Sequence, residues 1–211
     1  MQSLFYLVQF VVYIFSNINK QIFRVSHFQD DLRLYLIMPF LQGGDIFHYL
    51  KKDGPYDSST VKFYFVQIVI ALQHIHEKSI IYRGFKSENI VLTRSGNITL
   101  VDFGLSKFIP EGRTFTMCGT PEYMAPEVLL QKGYGNSVDW WGLGMLIFEM
   151  LTGFPPWYTK DRKKLIRRIK YADLKVPYSF ENDTASIVIA LLSRNQSKRL
   201  GAIGDADAVK N

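Results

Sequence analysis

The chain has 211 residues, 47% of them apolar and 21% charged. That profile excludes a disordered tail, a collagen-like rod and a low-complexity linker, and it allows one large domain or two small ones with a substantial core. The single cysteine, Cys118, excludes an intrachain disulfide framework and a cysteine-cluster metal site, and the net charge of +6 is matched by Lys160–Lys170 alone, which holds seven basic residues and one acidic one.

Residues 4–15 (LFYLVQFVVYIF) are apolar except Gln9. Twelve helical residues span about 18 Å, short of the roughly 30 Å hydrocarbon core, and no Lys or Arg precedes them as a secretory signal requires. The run reads as a segment to be buried, with an incomplete chain or membrane attachment as alternatives. No other segment approaches membrane-spanning length without charges, so a cytoplasmic protein is expected. Residues 22–28 and 33–38 read as two strands around the polar turn Gln29-Asp30-Asp31. Phe40 to Gly44 breaks the pattern, and Asp45 can cap a short helix over 46–52. Ser58 or Ser59 opens a helix to His76, whose apolar face is expected to include Phe63, Phe65, Val66, Val69, Ile70, Leu72 and Ile75.

Short strands are expected at 89–92 and 98–101, turned by Ser95-Gly96. Residues 103–125, rich in Gly, Thr and Pro, read as loop. Ser137–Thr152 is apolar on nearly all sides, the pattern of a buried central helix. Two further helices fit 162–172 and 183–194. In the first, Leu165, Ile166 and Ile169 form one apolar stripe beneath the basic residues. That helix is either a solvated surface or a docking patch for an acidic partner or a membrane. The basic excess is local rather than spread over a face, so nucleic-acid binding is not expected.

Five segments, in order and spacing, resemble the protein-kinase family. Tyr82-Arg83-Gly84-Phe85-Lys86-Ser87-Glu88-Asn89 sits where that family has its catalytic loop, of pattern [HY]-R-D-x-K-x-x-N. Asp102-Phe103-Gly104 follows as D-F-G, and Ala125-Pro126-Glu127 as A-P-E. Asp139-Trp140-Trp141-Gly142-Leu143-Gly144 matches the D-x-W-x-x-G start of the family's central helix. Arg199 matches the arginine that pairs with the A-P-E glutamate. Each motif alone is weak; five in register over about 120 residues are specific. Gly112–Tyr123, Gly43–Phe47 and Ser197–Gly201 resemble the AGC group, which includes the cyclic-nucleotide-dependent Ser/Thr kinases.

The resemblance implies an α+β, protein-kinase-like fold. Residues 1–38 would be a partial, truncated β-rich small lobe, 39–42 the hinge, and 43–211 a mainly helical large lobe that stops before its last helices. It implies ATP and Mg²⁺ as cofactors and transfer of the γ-phosphate to basic protein or peptide substrates. Asn89 and Asp102 would hold the metal, hard oxygens suited to Mg²⁺. Lys86 would neutralise charge on the transferred phosphate. Met38 would be the gatekeeper, with Pro39, Leu41, Val91 and Val101 around the adenine. Thr116 matches the activation phosphosite, with Arg83 and Lys107 to receive its phosphate. Asp45, Glu88 and Glu149 fall on acidic positions that bind substrate arginines, and Met117, Thr120, Pro121 and Met124 on the phosphoacceptor side. Phe103, Gly104, Glu127, Asp139 and Arg199 would be structural.

The departures bear on activity. Position 84 is Gly where the family has its catalytic Asp, which orients the substrate hydroxyl and accepts its proton. Losing a positioned general base costs typically 10²–10⁴-fold, about 2.7–5.4 kcal/mol. Glu88 belongs to a substrate-binding position and is no substitute. Phe85 and Ser87 stand where the subgroup usually has Leu and Pro. A small lobe of five strands and one helix needs roughly 67 residues before the hinge, and 37 precede Met38. No Gly precedes Gly43 and no Glu precedes Glu77, so these residues hold neither a Gly-rich phosphate loop nor the carboxylate that would hold an ATP lysine. Lys20, the lysine before Met38, falls near the start of the fourth strand. Weak or absent nucleotide binding is expected. Three readings follow: an AGC-group Ser/Thr kinase impaired or inactive as this chain, a non-catalytic pseudokinase that binds partners through its large lobe, and an incomplete kinase gene product.

Overall fold

In the computed structural model of the chain, residues 26–37 and 40–210 are described. The apolar run 4–15, Lys20, the start of the first expected strand, Met38 and Pro39 lie outside them. The chain divides into two compact units, 1–42 and 43–211.

In the first unit, β1 (Ser26–Gln29) pairs antiparallel with β2 (Leu34–Ile37), Gln29 opposite Leu34. The turn starts one residue later than expected because Asp30, not Gln29, has the short acceptor a turn requires. Its Oδ1 accepts from the Leu32 N–H (2.8 Å) and the Arg33 N–H (2.6 Å), and its Oδ2 from the Tyr35 hydroxyl (2.9 Å). Phe28 stacks on Tyr35, its cross-strand neighbour, with ring centroids 4.5 Å apart.

The second unit is built around one helix. α1 (Ile46–Asp53) starts at Asp45, whose Oδ1 accepts from the His48 N–H at 2.8 Å, as expected. α2 (Ser58–His76) is capped by Asp57 rather than by a serine; the carboxylate accepts from the backbone N–H of Thr60 and from the hydroxyls of Ser59 and Thr60. Its buried face is Val61, Tyr64, Ile68, Val69, Leu72 and Ile75. Phe63, Val66 and Ile70, expected inside, are more than half exposed. The helix is apolar nearly all round, so the sequence offers two stripes, and packing against neighbouring elements selects one.

Two short antiparallel pairs follow: β3 (Ile80–Ile81) with β6 (Lys107–Phe108), and β4 (Ile90–Leu92) with β5 (Ile98–Leu100). Residues 103–125 are therefore not wholly loop. They contain β6 and two 3₁₀ turns, Phe103–Leu105 and Pro121–Tyr123. A short α3 (Pro126–Leu129) leads to α4 (Ser137–Thr152), the central helix. Every α4 residue from Ser137 to Met150 is buried, Trp140 and Trp141 completely. α4 ends where Gly153 takes a positive φ of 85°, a conformation that costs glycine little.

α5 (Arg162–Tyr171), α6 (Asn182–Leu191) and α7 (Asp205–Lys210) complete the unit. α4 packs on α2 and α6, and α7 packs on α2. α6 stops short of the expected residue 194 because Arg194 turns back to α5. Its guanidinium donates to the carbonyls of Ile169 (2.8 Å), Arg168 (3.3 Å) and Ala172, satisfying the open end of that helix. The architecture is α+β, as expected. Among the described residues no helix is long and apolar enough to cross a membrane.

Candidate active site and peptide-binding cleft

The loop from Ile81 to Asn89 is held from below by one carboxylate. Asp139, fully buried in the first turn of α4, accepts from the Tyr82 N–H through Oδ2 and from the Arg83 N–H through Oδ1, each at 2.8 Å. His76, at the end of α2, brings Nε2 to Asp139 Oδ2 and Nδ1 to Asp205 Oδ1, both at 2.9 Å. Trp140 Nε1 donates to the same Asp205 oxygen at 2.7 Å. Burial works to lower the His76 pKa, but the hydrogen bonds and charges of the two aspartates overcome it and raise it to about 9. Arg83, which follows, sits at a positive φ of 59° that these bonds must hold.

Gly84 is buried at the centre of this loop. A methyl there would lie 2.9 Å from Tyr82 Cζ and 3.0 Å from the Asp102 carbonyl oxygen. The Tyr82 ring is fully buried and its hydroxyl donates to the Val101 carbonyl at 2.5 Å. The backbone is thus settled around a residue without a side chain. Asn89 Nδ2 donates to the Gly84 carbonyl at 2.7 Å, and the Val101 N–H donates to the Asn89 carbonyl at 3.0 Å, which brings Asn89 beside the start of the Asp102 segment. Asp102 is exposed at a positive φ of 56°, one carboxylate oxygen accepting from the Gly104 N–H at 3.2 Å. Lys86 is half-exposed, at the start of the 3₁₀ turn Ser87–Asn89. Phe103 is buried edge-on against Tyr82.

Two hard oxygens on neighbouring segments suit a Mg²⁺ whose other ligands are phosphate and water. Among the described residues no group of three His, Cys, Asp or Glu could cage a metal by itself. Of the residues the resemblance assigns to adenine, Leu41 belongs to the first unit, and Val91 and Val101 to the second.

Thr116 is exposed, with Lys107 Nζ 3.4 Å from its hydroxyl and 2.9 Å from that of Thr114. Arg83 is already engaged, donating to the Leu105 carbonyl (2.7 Å) and the Tyr134 hydroxyl (3.0 Å). Tyr134 in turn donates to the Thr116 carbonyl. Met124 and Thr120 line one small cavity with Cys118 and Gly119, whereas Met117 and Pro121 are not part of its wall.

A larger cleft, of about 540 Å³, opens between α1 and the end of α4. Glu88, Glu122 and Glu149 contribute its carboxylates, and Phe47, Tyr123 and Tyr158 its aromatic wall. Asp45 is absent from the lining and serves instead as the α1 cap. Glu149 is 6% exposed. Its Oε1 accepts from the Ser87 hydroxyl at 3.3 Å and its Oε2 from the Tyr123 hydroxyl, while the Ser87 N–H donates to Tyr123 Oη at 3.2 Å. Burial raises its pKa to about 7 against the lowering effect of those bonds. Sequence reasoning missed Glu122, Tyr123 and Ser87 as partners here. Glu122 adjoins Pro121 and could have been flagged; the Ser87 bond is visible only once position 87 has an N–H to give.

The other buried glutamate is answered by a cation. Glu127, 4% exposed, receives Arg199 Nη1 (2.6 Å) and Nη2 (2.9 Å), a bidentate pair. The same guanidinium donates to the carbonyls of Ser137 and Ser193 and lies over the Trp141 ring.

Residues 14–208 match the family described as the protein kinase domain. The chain is 44% identical over 185 residues to the cAMP-dependent protein kinase catalytic subunit of Dictyostelium discoideum, covering 87% of this chain and 28% of that protein. It is 41% identical over 185 residues to the cAMP-dependent protein kinase type 3 of Saccharomyces cerevisiae, covering 87% and 46%. It is 44% identical over 187 residues to the ribosomal protein S6 kinase beta of Caenorhabditis elegans, covering 87% and 34%. The chain therefore spans less than half the length of each of these relatives. With its loop, D-F-G, A-P-E and paired arginine in register on this fold, the chain belongs to the protein kinase family, within its AGC group of serine/threonine kinases.

Proposed function

We propose that this chain keeps the substrate-binding face of an AGC-group Ser/Thr kinase and is impaired in the transfer step. The observation that carries this reading is the packing at Gly84. The position that would orient a substrate hydroxyl and take its proton has no side chain, and a Cβ there would meet the buried Tyr82 ring at 2.9 Å and the Asp102 carbonyl oxygen at 3.0 Å. Asn89 and Asp102 would hold Mg²⁺, and ATP, when bound, would supply the phosphoryl group. Lys86 would offset charge near the acceptor. No residue of the loop is left to draw the hydroxyl proton, since Glu88 belongs to the acidic cleft. Residues 1–42 supply no Gly-rich loop to the nucleotide phosphates, which supports weak binding by these residues alone. The cleft, with three carboxylates, one lysine (Lys51) and an aromatic wall, supports arginine side chains as its ligands.

The test compares phosphate transfer to an Arg-rich peptide by the wild-type chain, the Gly84→Asp variant and the Gly84→Asp/Tyr82→His double variant. The second change relieves the contact that a new Cβ makes with the Tyr82 ring. Expected is transfer about 10²–10⁴-fold slower in wild type than in the double variant, with peptide affinity equal among the three. Wild-type transfer at the rate of the double variant would refute the reading of Gly84. Failure to bind the peptide would refute the reading of the cleft.

A further inference from the structure

Helix α5 carries first-turn and outward charge that the fold does not use. Arg162, Lys163 and Lys164 occupy its first turn, where no acidic residue stands and where the helix dipole disfavours cations. Like charges also face one another along the helix, Lys163 with Arg167 and Lys164 with Arg168 four residues apart, and Arg167 with Lys170 three apart. The neighbouring acid, Asp161, is spent on the backbone: its Oδ1 accepts from the N–H groups of Lys163 (2.8 Å) and Lys164 (3.1 Å). Among the described residues no carboxylate forms an ion pair with any of the seven cations in 160–170. Arg168 and Lys170, in the last turn, suit the dipole, and Arg168 donates to the Tyr158 carbonyl; folding alone gains nothing from Lys163, Lys164 and Arg167.

The geometry of the face narrows the partner. Leu165 and Ile169 are buried and fix the inward side. At 100° per residue the outward side is centred on Arg167, flanked by Lys163, Lys164, Lys170 and Tyr171. Tyr171 is 70% exposed. This is the convex outer surface of one helix, and none of its residues lines either cleft described above. A protein epitope draws its affinity from an anchor seated in a recess, which these residues do not form. A broad anionic sheet can instead meet every cation without a matched pattern. A tyrosine ring among the cations is the side chain that rests at lipid headgroup depth. The inner stripe is already committed to the core, so the helix can adsorb but not insert.

We propose that the outer face of α5 docks on the surface of an anionic phospholipid bilayer, with Lys163, Lys164, Arg167 and Lys170 meeting headgroup phosphates and Tyr171 settling among them. The reading is independent of phosphate transfer. The test is co-sedimentation of the full chain with phosphatidylcholine vesicles and with vesicles containing about one-third phosphatidylserine. Expected is binding to the anionic vesicles alone, fading with salt as the Debye length falls from about 10 Å at 0.1 M to about 3 Å at 1 M. K163Q/K164Q/R167Q should weaken it about 100-fold with a melt no lower than that of the wild type, because all three side chains are exposed and like charges are relieved. The Glu equivalents should weaken it further. Equal binding to neutral vesicles, or undiminished binding by the charge-reversed chain, would overturn the proposal. So would charge-dependent capture of poly-glutamate by a chain that ignores the anionic vesicles, which would assign the face to an acidic polypeptide.

Discussion

The two ends of helix α4 handle buried carboxylates in opposite ways. At the N-terminal end, Glu127 meets Arg199 and Asp139 meets His76, so each acid has a cation. At the C-terminal end, Glu149 is hydrogen-bonded by the hydroxyls of Ser87 and Tyr123, and Lys51, across the same cleft, acts on it through its charge alone. The helix dipole sharpens the contrast, since it favours an acid in the first turn and disfavours one in the last. One end is closed and structural. The other has no ion-paired cation among the described residues and opens on a cleft where three carboxylates face one lysine, Lys51, so further positive charge can come from a ligand.

Breaking the closed end should have the largest effect. Arg199→Met leaves Glu127 buried without its partner and should cost about 3–5 kcal/mol, read as a fall in the urea midpoint. A smaller loss requires that water reach Glu127. Next comes the titration of His76. Its folded pKa of about 9 lies above the ordinary 6.5, so its contribution is complete below pH 6.5 and is lost as pH rises through 9. On the order of 3 kcal/mol is at stake. Stability of the wild type should fall over that window, and His76→Gln should flatten the curve. Equal slopes in the two proteins would show that the imidazole is neutral.

The smallest effect sharpens the open end. With a folded pKa of about 7 against the ordinary 4.5, Glu149 binds its proton more tightly when folded. The stability this brings is complete below pH 4.5 and lost as pH rises through 7. The same ionisation creates the charge a cationic ligand needs. Affinity for an Arg-rich peptide should therefore rise from pH 6 to pH 8 by up to about tenfold, 1.4 kcal/mol, and Glu149→Gln should abolish the rise. A pH-independent wild type would mean that Glu88 and Glu122 carry the cleft without it.

Much of this was legible in the residues. The central helix announced itself because it is apolar on every side, and Asp45 announced the start of α1 by its position before an apolar run. The pairing of Glu127 with Arg199, 72 residues apart in sequence, came from motif register, not from any local pattern. What stayed hidden depends on tertiary choice. Nothing in the α2 sequence says that Tyr64 and Ile68 go in while Phe63 and Val66 stay out. His76 reads as the last residue of an apolar helix, and only the fold sets it between two aspartates from distant segments. The Ser87–Tyr123–Glu149 cluster draws on three separate segments, with no spacing to betray it.

Phe85 and Gly142 carry one more consequence. A methyl at 142 would sit 2.6 Å from Phe85 Cδ2, so the ring at 85 occupies the room that any larger residue on the central helix would take. These two positions lie far apart in the chain and can be reconciled only once it has folded. A side chain added at 142 would therefore have to be met by a smaller residue at 85, so the central helix and the loop above it can change size only together.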